Sequence, residues 1–203
     1  MIINVTATNT TAWSYLTLWP SGTEPNTSNL NWTSSNQTIA NRIIVQLSVT
    51  GTINISNAFG STDVIVDISG YFTGPTSTTG GTSYTAINPI RILDTRPNSG
   101  YIGQGINLLS GASLSLQISG VNGVPITTTA AAINVTVTDT NAGGYLSITP
   151  TNSVSTSDVN WTNSGQSVAN IDIATLSSSG SIVITNGSPM SVDVVVDLLG
   201  YFN

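Results

Sequence analysis

Two stretches of this chain carry the same landmarks in the same order. Ile3 and Trp32 recur as Ile133 and Trp161, so the offset is 130 residues at the first landmark and 129 at the second. An offset that hardly changes over this distance predicts one structural unit present twice, because a repeat builds the same supersecondary structure at each occurrence. The matching copies are residues 1–73 and 131–203.

The residues between the two copies occur once. Residues 74–83 read Gly-Pro-Thr-Ser-Thr-Thr-Gly-Gly-Thr-Ser, which is the composition of a flexible linker. Residues 84–132 add a strand-like segment, a Gly-rich loop and a further strand. The sequence therefore predicts the C-terminal part of a β repeat unit at 1–73, a linker at 74–83 and a complete β repeat unit at 84–203.

The pattern within the copies is that of β-strands. Apolar and polar residues alternate with a period of two, β-branched residues are enriched, and short turn sequences separate the segments. No segment keeps the 3.6-residue period of a helix. These features favour a sandwich or a barrel, and we expect an all-β fold of duplicated antiparallel β-sandwich or jelly-roll-like modules. The predicted strands are Ile3–Thr10, Tyr15–Trp19, Ile39–Leu47, Thr52–Ser56 and Asp63–Ile68, their equivalents in the second copy, and a strand near 113–118.

Charged residues make up only 6% of the chain, against roughly 25% in ordinary soluble domains. His, Lys and Cys are missing, so a nucleophile–base pair of the Ser–His, Cys–His or Ser–Lys type is excluded. The few arginines do not cluster as phosphate binding requires, and no apolar run reaches the roughly 20 residues that span a bilayer. We expect a protein without catalytic activity that neither binds nucleic acid nor inserts into a membrane.

Several short motifs follow one another along the chain, and they read R-I-L-D-T-R, G-V-P, N-V-T, G-Q-S-V-A-N and G-Y-F. They are Arg91–Arg96, Gly123–Pro125, Asn134–Thr136, Gly165–Asn170 and Gly200–Phe202, with Asn36–Asn41 and Gly70–Phe72 in the first copy. Together they resemble a tandem repeat of secreted and surface proteins from actinobacteria and related bacteria, which reads R-[IL]-L-D-T-R, G-V-P, N-V-T, G-Q-[ST]-x-A-N and G-Y-F. The resemblance implies a secreted or cell-surface location and tandem repetition, and it implies no chemistry because the family has no well-established activity.

Arg91, Asp94 and Arg96 place opposite charges in one short strand-like segment. Asp94 and Arg96 share a face under the two-residue period, and the planar guanidinium of arginine suits a carboxylate or backbone carbonyls. In a chain with so few charges this pattern favours a structural ion pair that is at least partly buried. A ligand-binding arginine is the alternative.

Asp63 and Asp67, with their counterparts Asp193 and Asp197, raise the question of a cation site. Calcium takes several oxygen ligands. Positions i and i+4 of one strand lie roughly 13 Å apart at about 3.3 Å per residue, which is too far to hold one ion. We therefore expect these carboxylates to serve the scaffold, with no metal and no cofactor. Calcium held with ligands from a second strand is the alternative.

The four tryptophans fall into two groups. Trp32 and Trp161 correspond to each other, which favours a core role. Trp13 and Trp19 have no aromatic counterpart in the second copy, so the scaffold does not require them and they are the candidate binding residues. Tryptophan rings of this kind stack on the apolar faces of sugars.

These features favour a non-catalytic extracellular module that forms a surface coat, stalk or filament from tandem β repeats. Its expected partners are further copies of itself or neighbouring surface-protein repeats. If residues 1–73 lack strands of a complete unit, they expose a sheet edge that another chain can cover. A carbohydrate-binding or adhesion module that uses Trp13 and Trp19 is the alternative. We expect a secreted or surface location, although the sequence after Met1 lacks a signal peptide.

Overall fold

The computed structural model describes residues 1–73, 80–153 and 156–203. These residues form strands and turns, with no helix among them. They divide into two compact units, which we call unit 1 (Met1–Phe72) and unit 2 (Thr73–Asn203). The expected all-β fold is confirmed. Residues 74–79 of the predicted linker lie outside the described part of the chain.

Unit 1 consists of two three-stranded antiparallel sheets. Its strands are β1 (Ile2–Thr8), β2 (Ser14–Trp19), β3 (Leu30–Trp32), β4 (Ile39–Ile44), β5 (Asn54–Asn57) and β6 (Asp63–Gly70). The sheets have the orders β4-β1-β6 and β3-β2-β5. Alternate residues of each sheet point inward, as the two-residue period predicts. Their core includes Ile3, Val5, Leu16 and Trp32.

Unit 2 consists of two four-stranded antiparallel sheets with a larger core drawn from both. Its strands are β7 (Tyr84–Asp94), β8 (Ser113–Gln117), β9 (Ala130–Thr138), β10 (Gly144–Thr149), β11 (Val159–Trp161), β12 (Val168–Thr175), β13 (Ser181–Asn186) and β14 (Asp193–Phe202). The sheets have the orders β12-β9-β14-β7 and β11-β10-β13-β8. Each unit is therefore a sandwich-like pair of antiparallel sheets.

The strands of unit 1 pair with one another as β9–β14 do in unit 2. β1 lies between β4 and β6, as β9 lies between β12 and β14, and β2 lies between β3 and β5, as β10 lies between β11 and β13. The register agrees as well, because Val5 faces Val66 and Val135 faces Val196. Unit 2 differs by two additional outer strands, β7 beside β14 and β8 beside β13.

The observed strands differ from the predicted ones mainly at their ends. β1 ends at Thr8 rather than Thr10 because Asn9 has a φ of 51°, which lies in the left-handed region. β4 ends at Ile44 rather than Leu47. The sequence pattern does not predict β3 or β11, since three residues are too few to show an alternation.

Repeated polar residues hold the corners that follow β3 and β11. The side-chain oxygen of Gln37 accepts hydrogen bonds from the backbone N–H groups of Thr33 and Ser34, at 2.7 and 3.0 Å. Gln166 accepts the same two bonds at the corresponding corner of unit 2, both at 2.8 Å. These bonds satisfy backbone donors that no strand pairing reaches. The glutamine that recurs in both copies therefore serves the scaffold.

Candidate functional site

Unit 1 has sheet sides that are unpaired. Within the described residues, no strand pairs with the outer side of β6 or of β5. In unit 2 the corresponding sides of β14 and β13 are paired with β7 and β8. β7 and β8 belong to one segment, Tyr84–Gln117, which crosses from one sheet to the other. We call the unpaired sides of β6 and β5, with their exposed aliphatic side chains, the open edge of unit 1.

The open edge exposes aliphatic side chains whose counterparts in unit 2 lie in the core. Ile68 of β6 is 70% exposed, whereas its counterpart Leu198 is 1% exposed. On the other sheet Ile55 of β5 is 38% exposed, and its counterpart Ile184 is fully buried. Contiguous aliphatic residues at a sheet edge mark an interaction surface. The same contrast holds for Val64 and Val66 against Val194 and Val196.

A glycine on β6 leaves room for a neighbouring chain. Gly200 of β14 lies against β7, where a β-carbon would be 2.5 Å from the Tyr84 hydroxyl oxygen and 2.6 Å from the Thr85 carbonyl oxygen. Gly70, its counterpart in β6, has no described atom within 4 Å of such a carbon. Neither glycine has a positive φ, so the backbone does not require it. The close approach of β7 explains Gly200, and nothing within unit 1 explains Gly70.

Asp197 and Asp67 hold corresponding positions in β14 and β6 but differ in the arginine beside them. Asp197 accepts hydrogen bonds from Nε and Nη2 of Arg91 in β7, at 2.9 and 3.3 Å. Asp67 faces Asn4 of β1, whose other cross-strand neighbour is Arg42 of β4. Burial raises the pKa of Asp67, and the charge of Arg42 lowers it by less. The positive charge beside β14 thus comes from Arg91 of the outer strand β7. The positive charge near β6 comes instead from Arg42 of β4, which lies on the far side of β1.

The predicted cluster of Arg91, Asp94 and Arg96 lies where β7 ends. The buried Asp94 carboxylate accepts hydrogen bonds from Nε and Nη2 of Arg96 at 2.9 and 2.6 Å, and from Nη1 of Arg91 at 3.2 Å. The hydrogen bonds from Arg96 are the main reason that the pKa of Asp94 lies below its usual range. Arg91 also bridges to Asp197 and lies 5.8 Å from the ring centre of Tyr101. The cluster therefore ties β7 to β14.

The aspartates considered for calcium bind groups of the protein. Asp193 accepts the Thr95 hydroxyl at 2.7 Å, and Asp63 accepts the side-chain amide of Asn9 at 2.7 Å. In unit 2 the position of Asn9 holds Asp139. Burial is the largest cause that raises the pKa of Asp193; the bond from Thr95 lowers this pKa, and Asp139 raises it further. Across 1–73, 80–153 and 156–203, no three His, Cys, Asp or Glu side chains gather as a metal site.

Unit 1 exposes an aromatic cluster of Trp13, Tyr15 and Phe59. Trp13 is 58% exposed, and its ring centre lies 4.5 Å from that of Phe59, which Tyr15 approaches edge-on at 6.5 Å. In unit 2 the position of Trp13 holds Gly143, where a β-carbon would be 2.4 Å from the carbonyl oxygen of Thr162. Unit 2 therefore has no room for this tryptophan. The sequence pattern does not single out Phe59, because the pairing of β2 with β5 is what brings it to Trp13.

Trp19, the other predicted binding residue, lies at the opposite end of β2. Trp13 precedes this strand and Trp19 is its last residue. Six steps along a strand cover roughly 20 Å at about 3.3 Å per residue. The indole N–H of Trp19 donates to the carbonyl oxygen of Gly22 at 3.1 Å. The fold therefore does not bring Trp13 and Trp19 into one site.

Trp32 and Trp161 are buried in the two cores, as predicted from their correspondence. The indole N–H of Trp32 donates to the Ala12 carbonyl oxygen at 2.7 Å, and that of Trp161 donates to the Ala142 carbonyl oxygen at 2.6 Å. Each ring thus fills the core while its polar atom is satisfied by the loop that precedes β2 or β10.

These features define an all-β protein of two sandwich-like units, one of which has an open edge. No helix in the described residues is long and apolar enough to cross a membrane. Searches against family models, curated proteins and solved structures found no match for the chain. The open edge and the aromatic cluster are the two surface features of unit 1 that suggest a binding function.

Proposed function

We propose that this chain is a non-catalytic extracellular structural module, a subunit of a surface coat, stalk or filament built from tandem β repeats. The observation that carries the proposal is the open edge of unit 1, which exposes aliphatic side chains where unit 2 buries their counterparts. An unpaired strand edge is a template on which another chain can add a strand. Assembly through this edge would cover the exposed side chains.

The geometry of such an assembly follows from the two edges. Strands added to β6 and β5 extend both sheets of unit 1 and bury Val66 and Ile68. The surface that receives the added strands differs from the surface that supplies them, so the contact between two molecules is head-to-tail. Head-to-tail contacts that do not close into a ring produce fibres. The low charge of the chain, only 6% of its residues, fits a packed structural array. The resemblance to tandem surface repeats supports an extracellular location.

Light scattering and negative-stain microscopy of the purified chain at increasing concentration test the proposal. We expect association that grows with concentration and elongated particles. Ile68→Lys places a charge on the open edge and is expected to raise the concentration needed for association at least about tenfold, equivalent to about 1.4 kcal/mol.

Ile126→Lys is the matched control, because Ile126 is an exposed aliphatic residue of unit 2, away from β6 and β5 in the sequence. This variant should associate like the unchanged chain. A chain that stays monomeric at every concentration contradicts self-assembly. Equal association of the Ile68→Lys and Ile126→Lys variants contradicts assembly through the open edge.

The exposed aromatic cluster favours a second function, carbohydrate binding or adhesion. Trp13 and Phe59 present ring surface to solvent at a position where the scaffold of unit 2 has none. Sugars place their apolar ring faces on such surfaces, and a few nearby polar groups fix their hydroxyls. The cluster lies beside Asn57 and Ser14, whose side chains share a hydrogen bond of 2.7 Å.

A glycan array probed with the full chain tests this second function. We expect Trp13→Ala to lose binding, because Trp13 supplies much of the exposed ring surface. Trp19→Ala is the matched control and should retain binding, since Trp19 lies at the other end of β2. No bound glycan, or equal losses for both variants, contradicts a site on the cluster.

A further inference from the structure

We propose that the open edge of unit 1 binds, from a second protein chain, an extended two-strand segment of the same type as Tyr84–Gln117. The inference deepens the proposed function and rests on it, because both need the open edge. It adds the chemistry of the occupant: aliphatic residues on the face toward the core, an arginine on the opposite face of the first strand, and a threonine directly after the end of this strand. Unit 2, where this segment is present, provides the template.

The first strand of the occupant is defined by the pairing of β7 with β14. Leu93 of β7 faces Val196, and Ile90 faces Leu198, with a register shift between Val196 and Asp197. These contacts bury all four aliphatic positions wholly or in part. The counterparts of Val196 and Leu198 on the open edge are Val66 and Ile68.

The second strand is defined by the pairing of β8 with β13. Leu114 faces Ile184 and Leu116 faces Ile182, so this strand completes the other sheet. Because β7 and β8 are parts of one segment, a single polypeptide covers the edges of both sheets. The counterparts of Ile182 and Ile184 on the open edge are Ile53 and Ile55.

The outward-facing side of β6 favours polar and positively charged residues in the occupant. In unit 2, Arg91 donates to Asp197 and the Thr95 hydroxyl donates to Asp193. Both acidic positions are present on β6, as Asp67 and Asp63. Unit 1 contains one arginine against three acidic residues, so an added positive charge beside β6 is electrostatically favourable.

Gly70 is an independent sign of an occupant. Its counterpart Gly200 is packed by Tyr84 and Thr85 of β7, whereas a β-carbon on Gly70 would meet no described atom within 4 Å. A strand paired with β6 as β7 is paired with β14 would place its backbone against Gly70. The glycine on β6 is then explained by the same close approach that explains Gly200.

Isothermal titration calorimetry of the full chain with a synthetic peptide of residues 84–117 tests the inference. We expect one peptide per chain, because unit 2 is already filled. Leu93→Asp in the peptide places a carboxylate on the face toward the core and is expected to weaken binding at least about tenfold. Unchanged affinity of this variant peptide would mean that the binding is non-specific and would overturn the inference.

Gly70→Val in the full chain is the decisive variant. Because its β-carbon meets no described atom within 4 Å, the chain should fold as before, while the side chain fills the room that the peptide needs. We expect peptide binding at least about tenfold weaker than in Gly80→Val, a matched control at another open glycine. Circular dichroism verifies that both variants fold alike.

The outcomes separate this inference from the proposed function. Binding of the peptide that depends on Gly70 supports the inference. Self-association that Ile68→Lys abolishes, but with which the peptide does not compete, means that a different part of a second copy covers the open edge; it overturns the inference and leaves the proposed function standing. Absence of both peptide binding and self-association overturns both.

Discussion

One buried carboxylate, that of Asp94, accepts hydrogen bonds from both arginines at the C-terminal end of β7. It accepts three hydrogen bonds from Arg96, counting the backbone N–H at 3.2 Å, and one from Arg91. Removal of Asp94 leaves both guanidinium groups without this acceptor, although each is partly exposed and can gain water in return. We therefore expect the residue to contribute to the stability of unit 2.

Asp94→Ala is expected to lower the free energy of unfolding of unit 2 by about 2–4 kcal/mol at neutral pH. The pKa of Asp94 is lowered by the Arg96 hydrogen bonds. Its contribution is thus present above the pKa of the unfolded chain and is lost as the pH falls through the lowered folded value. Urea denaturation at several pH values measures this. A loss below about 0.5 kcal/mol, as for a surface pair, contradicts a structural role.

The neighbouring Asp193 has the opposite pH dependence. Burial is the main cause that raises its pKa, with a further contribution from Asp139. A raised pKa in the folded state gives stability that is present below the unfolded pKa and is lost as the pH rises through the folded one. In unit 1 the same pair is Asn9 and Asp63, joined by a hydrogen bond of 2.7 Å.

Asp139→Asn copies the arrangement of unit 1 into unit 2. The amide replaces a like charge with a donor to Asp193, so we expect a gain of about 1 kcal/mol in the free energy of unfolding at neutral pH. The gain should shrink as the pH falls and Asp193 becomes protonated. Urea denaturation of both chains from acidic to neutral pH provides the comparison. A gain that is independent of pH, or a loss at neutral pH, would contradict the pairing of these two carboxyl groups.

At the scale of the element, the two-residue period identifies strands and the faces of strands, but not their neighbours. Val64, Val66 and Ile68 alternate along β6 as their counterparts do along β14, so sequence alone gives both strands the same inward face. The structure buries one set and exposes the other, because only β14 is paired with β7. Burial at a sheet edge depends on which chain lies beside it, and local alternation does not report that.

The aromatic cluster illustrates a second limit of sequence reasoning. Comparison of the two copies identifies Trp13 as a residue that the scaffold does not need. Phe59 lies in the turn after β5 and reaches Trp13 only because β5 pairs with β2 in a particular register. The predicted companion Trp19 lies at the far end of β2 instead. A site built from side chains of two paired strands can be predicted only when the register of the pair is known. The strand pattern alone does not give that register.

The pair Gly70 and Gly200 tests the difference between a free and a covered edge. We expect Gly200→Val to lower the free energy of unfolding of unit 2 by about 1–3 kcal/mol, because the new side chain meets Tyr84 and Thr85 of β7. Gly70→Val should change stability by less than about 0.5 kcal/mol. Urea denaturation of the two variants provides the measurement. Equal losses would contradict the absence of a covering strand at Gly70.

At the scale of the whole molecule, the two units have separate cores of unequal size. The core of unit 2 takes residues from β7, β8 and the segments beside them, as well as from the strands that correspond to unit 1. Unit 1 has to stabilise its two sheets with a smaller core, and it leaves aliphatic side chains exposed along β6. Because each buried aliphatic side chain contributes about 1.5–3 kcal/mol, unit 1 is expected to be the less stable unit.

Unequal stability should appear as two unfolding transitions. Three of the four tryptophans lie in unit 1, and among these Trp32 is the buried one, so its fluorescence follows the loss of that core. Far-UV circular dichroism follows the strands of both units. We expect the midpoint of the fluorescence change at a lower urea concentration than the midpoint of the main circular-dichroism transition. Trp32→Phe should shift the fluorescence change toward the transition of unit 2, because Trp161 is buried in the core of that unit. Addition of the peptide of residues 84–117 should raise the first midpoint and leave the second unchanged, because a ligand stabilises only the unit that binds it. Coincident transitions in the unchanged chain would contradict separate cores of unequal stability.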